Sequence, residues 1–149
     1  MTSKLYTPFF EATRNVFQLM LDLSDISDRP AETFDHEDAL DISIEIVGDL
    51  AGEVIYRFPC ATSLTIVNIM SGMEIAEIDD FVISAMSEIS NIISGNVLTL
   101  LAEDELKCDI RAPKLCQPDE GKTYSMRTAC CISTSAGEIC LDIRLNPVK

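Results

Sequence analysis

Hydrophobic positions dominate residues 79–102 and predict one long helix. Asp79 and Asp80 begin this segment, where carboxylates are favoured by the positive end of the helix dipole. A helix that is apolar over most of its circumference is normally buried over most of it. We therefore expect a core helix with a single polar stripe. Its apolar positions are Phe81, Val82, Ile83, Met86, Ile89, Ile92, Ile93, Val97, Leu98 and Leu101.

The N-terminal part of the chain shows a helical pattern followed by two strand patterns. Thr7 is a candidate N-cap with Pro8 at the first helical position, and the apolar face that follows ends near Leu23. Apolar and polar residues then alternate over residues 40–46, which is the period of a half-buried strand. Residues 53–58 return as a second strand after a turn, so these two segments predict a hairpin.

The rest of the chain completes a mixed pattern. A second helix is predicted at residues 61–71, because Pro59 ends the preceding strand and Gly72 offers a C-cap. The remaining predicted elements are a strand at 106–110, a loop at 113–122, and a hairpin of 123–133 and 138–145 about Ser135-Ala136-Gly137. This order predicts an α+β fold with helices packed on a largely antiparallel β-sheet. One domain over residues 1–149 is expected, since 47% hydrophobic residues suffice for one core.

The polar stripe of the long helix carries the candidate chemistry. Glu88 and Asn91 lie within about 60° of each other around the helix axis, and Ser84, Ser87 and Gly95 fall on the same stripe. A solvated face usually carries Lys, Arg and several Glu, whereas small neighbours let another surface approach. Gly in a helix also costs about 1 kcal/mol relative to Ala. The pattern indicates a contact surface, although polar pairs at this spacing are ordinary on solvated helices.

A similar pentapeptide occurs 23 residues earlier in the chain. Asn68-Ile69-Met70-Ser71-Gly72 resembles Asn91-Ile92-Ile93-Ser94-Gly95, but the residue three positions before Asn68 is Thr65 and not a carboxylate. Asn68 therefore lacks the acidic companion that Asn91 has. We expect Asn68 to have a structural role.

Charge excludes two classes of partner. The formal net charge of -14 argues against nucleic acid and against anionic membrane surfaces, since both require a basic footprint. The acidic residues concentrate in residues 22–53, which we interpret as a solvated loop with flanking strand. No signal peptide is expected, because Pro8-Phe9-Phe10 is followed at once by Glu11. Glu88 and Asn91 interrupt the longest apolar segment, so no membrane span is predicted and a cytoplasmic location is expected.

The cysteines and the single histidine do not form a recognisable metal motif. No C-x-x-C pair is present, and His36 is the only histidine, so a zinc site lacks its usual spacing. A disulfide framework is typical of exported chains. We expect free structural thiols and no metal site, with a metal or redox role as the alternative. The cysteines are Cys60, Cys108, Cys116, Cys130, Cys131 and Cys140.

Two segments together resemble the CheX branch of the CheC/CheX/FliY family of chemotaxis phosphatases. They are Pro8-Phe9-Phe10-Glu11-Ala12-Thr13-Arg14-Asn15-Val16-Phe17 and Met86-Ser87-Glu88-Ile89-Ser90-Asn91-Ile92-Ile93-Ser94-Gly95-Asn96-Val97. The resemblance implies a CheC-like fold and places the E-x-x-N motif of the family on Glu88 and Asn91. Arg14 stands in place of the first-helix asparagine of CheC-type members, so a single site is implied.

The same resemblance implies a protein phosphatase that acts on the aspartyl phosphate of a CheY-like response regulator. Asn91 would orient the attacking water, and Glu88 would pair with the regulator's active-site lysine. Ser84, Ser87 and Gly95 would contact the regulator. No cofactor is implied in this chain, since magnesium belongs to the regulator's active site. A homodimer joined through sheet strands is also implied, with residues 123–133 and 138–145 as candidate edges. The alternative function is a non-catalytic module that sequesters the phosphorylated regulator.

Overall fold

Three helices pack on one face of an antiparallel sheet that has seven strands within the described part of the chain. The computed structural model describes residues 2–22, 26–30, 39–115 and 125–147. The predicted α+β architecture is confirmed. The elements are α1 Thr2–Leu21, β1 Ser27–Pro30, β2 Ala39–Gly48, β3 Leu50–Pro59, α2 Cys60–Ser71, α3 Asp80–Glu103, β4 Cys108–Ile110, β5 Lys114–Leu115, β6 Met126–Thr134 and β7 Gly137–Pro147.

The sheet has the order β1-β6-β7-β3-β2-β4, and β5 also pairs with β2. Both predicted hairpins are confirmed: β2 pairs with β3, and β6 pairs with β7 across the turn at Ser135 and Ala136. Alternate residues of the central strands point into the core, among them Ile42, Tyr56 and Leu141, which share one rung of the sheet. The apolar face of α3 packs against these strand residues and completes the core.

The long helix α3 is capped at both ends. The Asp79 carboxylate accepts a hydrogen bond from the Val82 N–H at 3.0 Å, which satisfies one of the free donors of the first turn. At the other end, the Leu106 N–H donates to the Leu101 carbonyl and the Glu105 N–H donates to the Ala102 carbonyl, each at 3.0 Å. This is the Schellman pattern. The predicted helix at residues 79–102 is therefore confirmed within one residue at each end.

The first helix differs from the prediction. Helix α1 begins at Thr2, so Thr7 is not its N-cap and Pro8 lies inside the helix, where it is buried. Residues 2–6 contain no glycine or proline that would end a helix upstream. An interior proline removes one backbone hydrogen bond, at a cost of about 3 kcal/mol. The helix ends at Leu21, near the predicted position.

Two short strands were not expected. Strand β1, within the predicted acidic loop, pairs with β6 from Ser27↔Ser133 to Pro30↔Cys130. Strand β5 lies in the predicted loop at 113–122 and pairs with β2. Neither strand has the alternating pattern of a half-buried strand, because each is too short to show a period. The rest of the acidic loop, including His36, lies outside the described residues.

The hairpin of β6 and β7 corrects two expectations. Strand β7 lies between β3 and β6, so the segment 138–145 is not an edge available for dimer formation. Cys131 and Cys140 stand directly opposite each other on these strands and form a disulfide, so the expectation of a free thiol is wrong for this pair. Their Cα atoms lie 4.1 Å apart, as facing residues of antiparallel neighbours do. Of the other described cysteines, Cys60, Cys108 and Cys130 form no disulfide.

Candidate active site

The outward stripe of α3 brings the predicted site residues together. Ser84 and Glu88 are exposed, whereas Ser87, Asn91 and Gly95 are half-buried at the border of the same surface. The opposite side of the helix is buried in the core, as the burial of Val82, Met86, Ile89, Ile93 and Val97 shows. All five predicted residues therefore lie on the side of α3 that another molecule can reach.

One hydrogen bond between the sheet and a buried serine holds the rotation of α3 about its axis. The Ser94 and Tyr56 hydroxyls lie 2.8 Å apart, and both residues are buried, with 1% and 0% of their surfaces exposed. Burial raises the pKa of Tyr56, so its phenol stays protonated and can donate to Ser94. Ser90 is also buried and donates to the Met86 carbonyl at 2.9 Å. With Ser94 held on β3, Asn91 lies about 60° further around the axis, at the border between the buried side and the outward stripe.

The Asn91 amide has no hydrogen-bond partner among the described residues, and neither does the Glu88 carboxylate. The two residues are separated by about 4.5 Å along the helix axis and by about 60° around it. An amide offers an acceptor oxygen and two donor hydrogens, so it can hold a water molecule without removing its proton. Glu88 offers an acceptor for a cationic group. The pair is thus chemically available to a second molecule.

The same amide chemistry is used internally at Asn68. Its Oδ1 accepts from the Ile75 N–H at 2.7 Å, and its Nδ2 donates to the Ile75 carbonyl at 3.5 Å. These bonds fold the connection after α2 back onto the end of the helix. The predicted structural role of Asn68 is confirmed.

Gly95 gives an independent indication that the stripe is open. A Cβ atom added at Gly95 would meet nothing within 4 Å, and the residue lies inside a regular helix. Internal packing and backbone conformation therefore give no reason for glycine at this position, where alanine would favour the helix by about 1 kcal/mol. The position can therefore accept a small side chain without a clash inside the chain.

The segment of the chain that carries the stripe has acidic residues and no basic ones. Residues 59–106 contain no lysine, arginine or histidine, so this part of the chain cannot itself neutralise a phosphoryl group. Asp79, Asp80 and Glu88 are exposed there. The surface is suited to a partner that brings its own positive charge.

Phe81 was missed as a candidate residue. It was counted with the buried apolar positions of α3, but 49% of its surface is exposed. Phe81 precedes Glu88 by seven residues, which places it about 20° from Glu88 around the axis. The heptad spacing was visible in the sequence and is the signal that identifies Phe81 as part of the outward stripe.

Three other features of the described residues bear on the alternatives left open by the sequence: Arg14 on α1, a group of possible metal ligands, and the apolar length of α3. On α1, the Arg14 guanidinium lies 5.9 Å from the centre of the Phe10 ring and is exposed. The ligand atoms of Cys131, Glu138 and Cys140 lie within 4.8 Å of one another. The disulfide joins the two sulfurs, however, so no thiolate is available there in the oxidised state. Among the described helices, α3 alone is long and apolar enough to cross a membrane, and its inner face packs in the core.

Comparisons with known proteins identify the family of this chain. Residues 42–135 match the family model of the chemotaxis phosphatase CheX. The chain is 34% identical over 71 residues to the CheY-P phosphatase CheX of Thermotoga maritima, and this match spans 47% of the chain and 46% of that relative, or about half of each.

Solved structures share the fold. The CheX of Vibrio vulnificus has a TM-score of 0.81 at 22% identity, covering 96% of this chain and 99% of its own. A CheX-CheY-BeF3-Mg²⁺ complex from Borrelia burgdorferi has a TM-score of 0.78 at 21% identity, covering 95% and 97% respectively. A CheC-like protein from Shewanella oneidensis has a TM-score of 0.79 at 21% identity, covering 98% and 100%.

Proposed function

Because the chain belongs to the CheX family of chemotaxis phosphatases, we propose that it hydrolyses the aspartyl phosphate of a CheY-like response regulator. The observation that carries this proposal is the Asn91 amide, which lies on the outward stripe of α3 beside Glu88 and has no partner among the described residues. Family membership supplies the reaction class, and the free amide supplies the group that acts on it.

Asn91 acts by orienting water. An acyl phosphate is intrinsically labile, and phosphoryl transfer depends mainly on position and on electrostatic stabilisation. When α3 lies against the regulator, the Asn91 amide holds a water in line with the bond between phosphorus and the aspartate oxygen. The water attacks phosphorus, the carboxylate leaves with the bonding electron pair, and inorganic phosphate is released. Neither a nucleophile nor a metal ligand is required from this chain.

Glu88 acts by docking. Its exposed carboxylate pairs with the lysine of the regulator's active site, one helical turn from the reacting phosphate. This contact fixes the register of α3, so that Asn91 meets the phosphate at a reproducible distance. Ser84, Ser87 and Gly95 form the close contacts beside this pair. The regulator's own lysine and magnesium ion neutralise the negative charge of the phosphoryl group, so the acidic segment of this chain need not supply a cation.

The quaternary state and the location belong to the same proposal. We infer a cytoplasmic homodimer joined through sheet edges. The described edges are β4 and β5 on one side and β1 on the other, with the first half of β6 unpaired on its outer side among the described residues. Residues 126–129 of β6 are thus the better candidate of the two predicted segments.

The test is the lifetime of the phosphorylated regulator with substoichiometric amounts of this protein. The wild type is expected to shorten that lifetime catalytically, and Asn91→Ala is expected to lower kcat about 100-fold, the range seen when a single positioning donor is removed. Asn96→Ala is the matched control, because Asn96 is also a half-buried asparagine of α3 but lies about 140° from Asn91. It should retain kcat within about twofold.

A sequestering module would give a different result. It would bind the phosphorylated regulator without shortening the phosphate lifetime, and Asn91→Ala would not change that lifetime. Equal phosphate decay with and without the wild-type chain, across all CheY-like regulators of its source organism, would refute the phosphatase proposal.

A further inference from the structure

Phe81 is an exposed aromatic side chain at the start of the outward stripe. Its neighbour Val82 is completely buried, whereas 49% of Phe81 remains accessible. Large apolar side chains that stay exposed are informative when they adjoin a candidate site. Phe81 lies about 10 Å from Glu88 and about 15 Å from Asn91 along the axis of α3.

The exposure of Phe81 does not arise from a loose segment. The connection 72–79 is fixed to α2 by the two hydrogen bonds between Asn68 and Ile75, and Ile75 packs against the core. At its other end, the Asp79 side chain caps α3 two residues before Phe81. The local backbone is therefore fixed, and Phe81 is presented to solvent by a rigid helix.

We propose that Phe81 is a partner-binding residue that sets the affinity for the phosphorylated response regulator. This inference rests on the proposed function, because it takes the regulator as the occupant of the stripe. Burial of a half-exposed aromatic ring supplies apolar contact area at a low cost in side-chain entropy.

The regulator is the occupant because Phe81 and the proposed site share one continuous face. A folded domain of about 100 residues has a radius of gyration of ~13 Å, so a domain seated on Asn91 also reaches Phe81. Charge sharpens this expectation. The exposed Asp79 and Asp80 immediately precede Phe81, so the matching surface on the regulator is an apolar depression with basic groups at one border.

The contact differs from the catalytic pair in its kinetic signature. Phe81 lies too far from the reacting atoms to contribute to the transition state alone, so its interaction is made equally with bound substrate and transition state. Its loss should raise KM and Kd while kcat at saturating regulator is retained. Asn91→Ala should instead lower kcat.

The experiment compares Phe81→Ala, Phe81→Leu and Leu19→Ala. Leu19, with 85% of its surface exposed on α1, is the matched control for loss of an exposed apolar side chain away from the stripe. The probe is a CheY-type receiver domain activated with beryllofluoride and Mg²⁺, with Kd measured by fluorescence anisotropy. Phe81→Ala is expected to weaken binding about tenfold or more and to raise KM in proportion. Phe81→Leu should restore most of the affinity, and Leu19→Ala should match the wild type.

The outcomes separate this inference from the proposed function. If the wild type dephosphorylates the regulator and Phe81→Ala binds it as tightly as the wild type, the role of Phe81 is wrong and the phosphatase remains. Equal weakening by Leu19→Ala and Phe81→Ala also overturns the inference, since the effect would then not be specific to the stripe. If the wild type neither binds nor dephosphorylates any CheY-type receiver, both proposals fail.

Discussion

Two nearly identical pentapeptides of this chain occupy different structural positions and make different contacts. Asn68-Ile69-Met70-Ser71-Gly72 ends α2, whereas Asn91-Ile92-Ile93-Ser94-Gly95 lies in the middle of α3. At the helix end the asparagine bonds to the Ile75 backbone and Gly72 adopts a left-handed conformation with φ of 71°. In the helix interior the asparagine side chain has no hydrogen-bond partner among the described residues, and a Cβ added to the glycine would meet no atom within 4 Å.

The comparison shows how an amide becomes available for function. A helix end leaves free backbone groups, and a nearby polar side chain is used to satisfy them. A helix interior satisfies its own backbone, so a polar side chain there is used by the core, as Ser94 is, or is left for a partner, as we propose for Asn91. Asparagine therefore stabilises the backbone in one pentapeptide, whereas in the other its amide is left without a partner among the described residues.

The largest expected difference in stability is between the two serines. Ser94→Ala leaves the Tyr56 hydroxyl buried without its partner, which should lower the free energy of unfolding by about 2 kcal/mol, or the melting temperature by about 4–8 °C. Ser71 is exposed, and its hydroxyl donates to the Val67 carbonyl at 2.8 Å and accepts from the Met73 N–H at 3.2 Å. Water can replace both bonds at this exposed position, so Ser71→Ala should lower stability by no more than about 0.5 kcal/mol. Differential scanning calorimetry on the two variants measures this difference. Equal melting temperatures would show that the Tyr56 bond does not hold α3.

The two asparagines should separate stability from activity. Asn68→Ala removes both hydrogen bonds to Ile75 and is expected to cost about 1–2 kcal/mol of stability, with kcat within about twofold of the wild type. Asn91→Ala should change stability by less than about 0.5 kcal/mol, since it removes no bond to the described residues, and yet abolish most of the phosphatase activity. Urea denaturation and phosphate release on the same preparations test both statements. Loss of more than 1 kcal/mol in Asn91→Ala would mean that its amide has an internal role.

The two glycines should respond to alanine with opposite signs. Gly72→Ala forces a side chain into the left-handed region and should destabilise the protein by about 1 kcal/mol, although no atom clashes with the new Cβ. Gly95→Ala should stabilise α3 by about 0.5–1 kcal/mol, because the added methyl group meets nothing within 4 Å. If the regulator approaches closely at Gly95, this variant should also raise KM. A stabilised variant with unchanged KM would place the regulator farther from that turn.

The smallest expected effect is the result of completing the motif on α2. Thr65→Glu creates E-x-x-N with Asn68, but Asn68 remains bonded to Ile75, so no phosphatase activity should be gained. The measurement is phosphate release by Thr65→Glu combined with Asn91→Ala, compared with Asn91→Ala alone. Recovery of activity would show that the E-x-x-N spacing is sufficient, even when the asparagine amide is hydrogen-bonded within the chain.

Local patterns were sufficient for the elements that carry the site. The apolar period of α3, its acidic start at Asp79 and the Gly72 C-cap depend on residues within one or two turns, so the ends of α2 and α3 were predicted within one residue. The hydrogen bond by which Asp79 caps α3 was not predicted. The polar stripe from Ser84 to Gly95 followed from the same geometry. Assigning Glu88 and Asn91 to phosphatase chemistry required the family resemblance, and their role remains a prediction.

Contacts between distant residues were decided only by the tertiary structure. The pairing of Ser27 with Ser133, the central position of β7 and the disulfide between Cys131 and Cys140 depend on which strands become neighbours. No local period encodes such neighbours. The exposure of Phe81 has a mixed origin: its spacing from Glu88, visible in the sequence, places it on the stripe, and the packed core decides that this side of α3 meets solvent. The amino-acid sequence thus determined the phase of α3 around its own axis, and the core, through bonds such as Tyr56 to Ser94, determined which side of that helix meets solvent.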